Sequence, residues 1–241
     1  MKLVRGGRIH YGEAIGIITL NTRFPRIPGD VANATTYDFP VRFKVVREAS
    51  VQRVVKEADP ELLRPFVKVA QKLEADGVRA ITSTCGFLII FQEELSRVVE
   101  VPVFTSTLLL VPLVYSMTNR RVGIITADSA SLKEKHLEAA KIDSSTPIAI
   151  TGLEKEKEFA KGILGDSNMI DVEKIEGEVV KAARGMLERH PDVGSIVFEC
   201  ANLPPYAHAV QEATKLPVFD IVTLTKMVYD AVVKSRYHGF L

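Results

Sequence analysis

The chain has 241 residues, with 31 basic and 30 acidic side chains and a formal net charge of only +1. That balance argues against a nucleic-acid binder, which needs a basic excess to displace counterions from phosphate, and no apolar run reaches the roughly 18 residues of a membrane span. At 46% hydrophobic and 25% charged the composition is globular, which points to one large domain or two lobes with a small-molecule partner.

Short apolar runs rich in β-branched residues predict strands over 14–19, 41–46, 79–84, 101–105, 121–126, 147–151, 194–199 and 216–220. Between them, amphipathic spacing predicts helices over 60–76, 86–100, 107–119, 129–141, 172–189, 204–215 and 221–235. Asp59-Pro60 reads as a cap followed by proline in the first turn, and Asp76-Gly77 as a helix stop. Strand-helix alternation of this kind implies an α/β fold with parallel sheets covered on both faces. The segment 154–161 (EKEKEFAK) alternates charge and reads as a solvated helical face. His10, His136, His190 and His238 are scattered and form no metal spacing.

The chain also repeats itself. Gly16-Ile17-Ile18-Thr19 recurs as Gly123-Ile124-Ile125-Thr126, an offset of 107. Ala80-Ile81 leading to Cys85 is echoed by Ser195-Ile196 leading to Cys200, and Val101-Pro102-Val103-Phe104 by Leu216-Pro217-Val218-Phe219, both at an offset of 115. Three matches in one order imply two pseudo-equivalent lobes: residues 1–116 with 221–241, carrying Cys85, and residues 117–220, carrying Cys200.

Cys85 and Cys200 are the only cysteines, too few for a structural zinc site. Residues 1–13 lack the apolar core of a signal peptide, so a cytoplasmic, reducing compartment is expected, which disfavours a disulfide. Each cysteine falls just after a strand and at the start of a helix, at the end of the sheet where α/β proteins bind ligands. Unpaired N–H groups and the positive end of the helix dipole there predict a lowered thiol pKa. Two thiols on opposite walls of one cleft suit proton removal from one face of a carbon and delivery to the other.

Ser83-Thr84-Cys85-Gly86-Phe87, Phe198-Glu199-Cys200-Ala201-Asn202-Leu203-Pro204-Pro205 and Gly16-Ile17-Ile18-Thr19-Leu20-Asn21-Thr22 resemble the aspartate/glutamate/hydantoin racemase superfamily over essentially the whole chain. The resemblance implies two flavodoxin-like lobes with the site between them, no pyridoxal phosphate, metal or other cofactor, and Cys85 and Cys200 as the acid/base pair. It also implies that Asn21 and Thr22 bind substrate beside Cys85, and that the protein assembles as a homodimer or higher homo-oligomer. Gly86 and Phe87 offer N–H groups to a carboxylate, as Ala201 and Asn202 do after the second cysteine. Ser106, Thr126 and Ser129 at strand ends are further candidate donors, with Thr105 and Thr107 beside them.

Two departures stand out. Amino-acid racemases of this superfamily often carry Cys-Thr-His where this chain has Cys200-Ala201-Asn202; Asn202 cannot titrate, and His208 is a candidate substitute. Glu199 before Cys200 either raises that thiol's pKa or serves as a base, unless strand alternation turns it away. The long segment 23–40 reads as a substrate-covering loop in which Arg23 and Arg26 grip a side-chain carboxylate. The reading reached is a cofactor-independent aspartate/glutamate-type racemase. The alternatives are a hydantoin/allantoin-type racemase or a maleate-type isomerase, and a non-catalytic ligand-binding protein. A malonate-type decarboxylase needs only one cysteine and is disfavoured. Residues 1–120 carry 16 basic and 12 acidic groups and residues 121–241 carry 15 and 18, so the neutrality is a cancellation that suits a small anionic substrate rather than nucleic acid or membrane.

Overall fold

The computed structural model describes residues 3, 4 and 6–240. The first sheet is built from β1 (Ile15–Leu20), β2 (Val41–Val46), β3 (Ala80–Ser83) and β4 (Val103–Phe104), the second from β5 (Arg121–Thr126), β6 (Ile148–Gly152), β7 (Val193–Phe198) and β8 (Val218–Phe219). All pairings are parallel, and the two sheets have the same order, β2-β1-β3-β4 and β6-β5-β7-β8. The repeated segments of the sequence occupy equivalent strands: the two Gly-Ile-Ile-Thr runs form the central β1 and β5, and each cysteine follows the third strand of its sheet. β1, β3 and β7 are buried at every position, as strands covered on both faces must be. All eight expected strands are present, β2 and β5 with the expected bounds and the others shortened or shifted by a residue or two at an end.

The helices are α1 (Leu63–Asp76), α2 (Gln92–Arg97), α3 (Val111–Thr118), α4 (Glu134–Ala139), α5 (Lys157–Phe159), α6 (Val172–Arg189), α7 (Ala207–Thr214) and α8 (Ile221–Val232). Asp59 caps the turn entering α1 through the Glu61 N–H at 2.9 Å, and Gly77 ends α1 in the left-handed region at φ 98°. The helix expected over 86–100 opens as a 3-10 turn, Gly86–Phe91, and becomes α-helical only at α2. The stretch 129–133 is a turn ahead of the short α4. The charged segment 154–161 is not a freely solvated face: Phe159 is fully buried, and the chain continues as a π-helical turn, Ala160–Leu164, toward the cleft.

The helix after the last strand of each sheet crosses to the other sheet. α3 follows β4 but packs on β5 and β7, while α8 follows β8 but packs on β3. No helix among the described residues is long and apolar enough to cross a membrane.

Candidate active site

A cavity of about 390 Å³ lies between the sheet ends and is lined by both cysteines, with Gly86 and Phe87 after the first and Ala201 and Asn202 after the second. The lid comes from the 23–40 segment, which supplies Phe24 and Arg26, from the π-helical turn Gln52–Lys56 and residue Val51, and from Ile163 and Leu164 across the cleft. Three contacts hold the walls together. Asp166, itself in the left-handed region, accepts the Arg23 and Phe24 N–H groups at 2.6 and 3.2 Å. Lys56 pairs with the buried Asp128, and the Phe87 ring meets His136 edge-on at 5.3 Å.

Cys85 sits in a turn braced by Ser83, whose single hydroxyl proton has the Thr105 carbonyl at 2.8 Å and the Cys85 carbonyl at 3.0 Å as acceptors and whose oxygen accepts the Cys85 N–H at 3.3 Å. Cys200 donates its S–H to the Asn202 side-chain oxygen at 3.7 Å. The direction is fixed from behind, because the Asn202 amide nitrogen must donate to the Asp30 carboxylate, which it does at 2.9 Å. Asp30 is buried, and its other oxygen pairs with Arg26 at 3.2 Å. Arg26 also donates to the Thr22 hydroxyl at 2.8 Å and lies 4.1 Å over the Phe24 ring. A chain of contacts thus runs from Cys200 through Asn202, Asp30 and Arg26 to Thr22, crossing from one sheet's loops to the other's.

Glu199 is fully buried between these two arrangements. β7 ends at Phe198, so strand alternation no longer governs the next residues, and Glu199 and Cys200 both line the cavity. One carboxylate oxygen accepts the Thr126 hydroxyl at 2.6 Å; the other has no partner. Gly86 makes room for it, since a Cβ there would overlap both the Glu199 carbonyl and the free carboxylate oxygen. Burial pushes the Glu199 carboxyl up to about 7, against the pull of Thr126 and the Ala127 N–H.

The expected lowering of the thiol pKa values does not occur. Burial, and then the Glu199 charge, push Cys85 up to about 12 despite the Phe87 and Leu88 N–H groups and Arg26. The same two causes push Cys200 well above its ordinary value, with Cys85 and Asp30 adding to them. Helix-terminal N–H groups are present, but they are weaker than desolvation in a closed site.

The predicted binding residues divide into two groups. Thr22, Arg26, Gly86, Phe87, Ala201 and Asn202 line the cavity. Asn21 is exposed and donates to the Arg47 carbonyl at 3.0 Å. Arg23 is 81% exposed against Asp166. Ser106 caps the turn before α3 through the Leu108 N–H at 3.2 Å, Ser129 bonds Glu154 at 2.7 Å, and Thr126 serves Glu199 rather than the cavity. His208 is exposed on α7. Asp30 escaped notice because its position in a polar loop looks like turn chemistry, although the loop itself signalled the site. Among the described residues no cluster of three or more His, Cys, Asp or Glu is placed to hold a metal ion.

No protein-family model matches the chain. Solved structures share the fold: a Gly74Cys-Cys188Ser mutant of arylmalonate decarboxylase in its liganded form (TM-score 0.64, 19% identity, covering 94% of this chain and 96% of that one) and the aspartate racemase of Picrophilus torridus (TM-score 0.60, 12% identity, 92% and 95%). The chain therefore shares the fold of these decarboxylases and racemases, two parallel sheets with their helices forming two flavodoxin-like lobes. Sequence relatives carry a different activity. The chain is 30% identical over 217 residues to a dimethylsulfoniopropionate lyase of Durusdinium sp. clade D (87% of this chain, 71% of that one). It is 30% identical over 237 residues to dimethylsulfoniopropionate lyase 7 of Emiliania huxleyi (94% and 69%). These relatives overturn the expectation of an amino-acid racemase or other isomerase, because a shared fold does not fix the reaction carried out on it. At this identity and coverage, the chain belongs to the dimethylsulfoniopropionate lyase family.

Proposed function

We propose that this chain is a lyase that cleaves dimethylsulfoniopropionate or a close β-sulfonium carboxylate by elimination. The observation that carries the reading is the pair of thiols lining one small closed cavity, each beside N–H groups suited to a carboxylate, in a chain of this family. The walls of that cavity are the lobes 1–116 with 221–241 and 117–220; the packing of α8 back on β3 supports assigning the C-terminus to the first.

The substrate carboxylate lies against the N–H groups of Gly86 and Phe87 or of Ala201 and Asn202, which stabilise charge developing on it as the adjacent carbon loses a proton. The Cys85 thiolate takes that proton. The C–H electron pair becomes the new C=C bond, and the C–S bond breaks with its pair passing to sulfur. A neutral dialkyl sulfide and an α,β-unsaturated carboxylate leave, and Cys85 returns the proton to solvent. Because the leaving group departs neutral, no acid is needed to protonate it. Cys200, already donating to Asn202, remains a thiol facing the substrate. The free thiols are those of a reducing compartment, which favours the cytoplasm.

Incubation of the purified protein with dimethylsulfoniopropionate tests the reading directly. Dimethyl sulfide in the headspace and acrylate in solution should appear in equal amounts; absence of both sinks the proposal.

A further inference from the structure

We propose that Glu199 is the specificity residue for the positive charge of the substrate: its free carboxylate oxygen is the counter-ion of the onium group. The inference rests on the lyase reading above. Among the described residues lining the cavity, Arg26 is the only basic one, and it is committed to Asp30 and Thr22. Glu199 is itself fully buried, with one carboxylate oxygen bonded by Thr126 and the other without a donor. An incompletely paired buried carboxylate is costly, and the Thr126 hydroxyl and the Ala127 N–H offset only part of that cost.

The missing partner is a cation that needs no hydrogen bonds. Much of the wall around it offers no hydrogen bonds, since Leu20, Val55 and Ile163 are apolar and Phe87 is aromatic, while the Thr22 hydroxyl and the Asn202 oxygen already accept from Arg26 and Cys200. A methylated sulfonium carries its charge on a weakly hydrated, apolar-surfaced group, which suits a carboxylate set among such walls. The fit also serves the chemistry. Both thiols are held protonated partly by the charge of Glu199. An onium centre beside that carboxylate cancels the repulsion and lowers the cost of a thiolate at Cys85, so the leaving group helps to create the base that expels it. A neutral substrate of the same shape leaves the thiols as they are.

Two unreactive ligands of one shape separate these effects: 3-(trimethylammonio)propionate and its neutral isostere 4,4-dimethylpentanoate, titrated calorimetrically into the full chain. The native protein should bind the cationic ligand about tenfold or more tighter. In Glu199→Gln the ratio should fall to near one, and in Glu199→Asp, which keeps the charge, much of it should return. A native ratio near one, or a ratio retained in Glu199→Gln, overturns the inference. Sulfide release measured on the same native preparation keeps the two ideas apart: release without charge discrimination removes only the role of Glu199, and discrimination without release removes only the lyase reading.

Discussion

The two cysteine turns occupy equivalent places at the ends of β3 and β7, yet their surroundings differ in what they ask of the thiol. Burial and then the Glu199 charge oppose a thiolate at both, but around Cys85 the remaining influences all favour one: two backbone N–H groups and the guanidinium of Arg26. Around Cys200 only the Asn202 N–H favours one, and the neighbouring cysteine, Asp30 and an amide oxygen fixed as an acceptor oppose it. Racemisation needs two thiols that exchange roles; elimination of a neutral sulfide needs one base. The asymmetry shows how a duplicated fold can specialise without losing either cysteine. The pseudo-symmetry is retained in the backbone and broken in the side chains within contact of the sulfur atoms.

The sharpest way to break this comparison is to exchange sulfur for oxygen in each turn. Cys85→Ser should lower sulfide release about a thousandfold, the scale of a lost general base, and Cys200→Ser by only about ten- to thirtyfold. Equal losses in headspace assays would remove the distinction between the two turns. Next in size is the stability carried by Glu199. Its folded-state pKa is near 7 against an ordinary 4.5, so folding favours the protonated form. The contribution of this group is complete below about pH 4.5 and is lost as pH rises through 7. In Glu199→Gln, which stays neutral, the unfolding free energy at pH 8 relative to that at pH 5 should exceed the native value by roughly 3 kcal/mol, at about 1.4 kcal/mol per pH unit. Urea titrations at the two pH values measure this, and parallel curves for the two proteins count against a strained carboxylate.

Smaller effects sharpen the Cys200 side. Asp30→Asn removes the obligatory acceptor that orients Asn202, so the amide can turn its nitrogen toward the sulfur. We expect about a tenfold fall in kcat with KM little changed, and a shifted alkaline limb of the pH–rate profile. Restoration by Asp30→Glu would confirm positioning through the amide, whereas a pure loss of melting temperature would mean that Asp30 only packs the loop. The smallest change is Lys56→Ala, which leaves Asp128 with its Ser131 and Ala130 donors but cuts one contact between the cleft walls. A cost of about 1 kcal/mol is expected for this partly exposed pair.

Much of this architecture was legible in the sequence because buried parallel strands and their repeat leave a strong apolar signal. The offsets of 107 and 115 imply two pseudo-equivalent lobes, and the two sheets do share one strand order. The site was legible where it hangs on the strand ends: Cys85, Gly86, Phe87, Cys200, Ala201 and Asn202. It was not legible where long-range folding makes it. Ile163 and Leu164 reach the cavity from a segment whose charges suggest solvent, and Asp30 meets Asn202 only when the two lobes' loops close. The sign of the thiol shifts was missed because a sequence shows a helix start but not how thoroughly the site is sealed. The activity named for the sequence relatives was not legible for a related reason: two cysteines at strand ends suggest proton transfer at a carbon but carry no sign of which bond then breaks.

The exchange of α3 and α8 between the sheets bears on how substrate gets in. Each sheet is covered by a helix that belongs, along the chain, to the other one, so a hinge that swung the lobes apart would peel both helices from apolar faces at once. Opening therefore falls to shorter pieces tied across the cleft by a few polar contacts. Those are the 23–40 segment, held by Asp166 and Asn202, and the π-helical turn Gln52–Lys56, held by Lys56 on Asp128. The lobes act as a fixed vise, and traffic through the site is a matter of a few short loops.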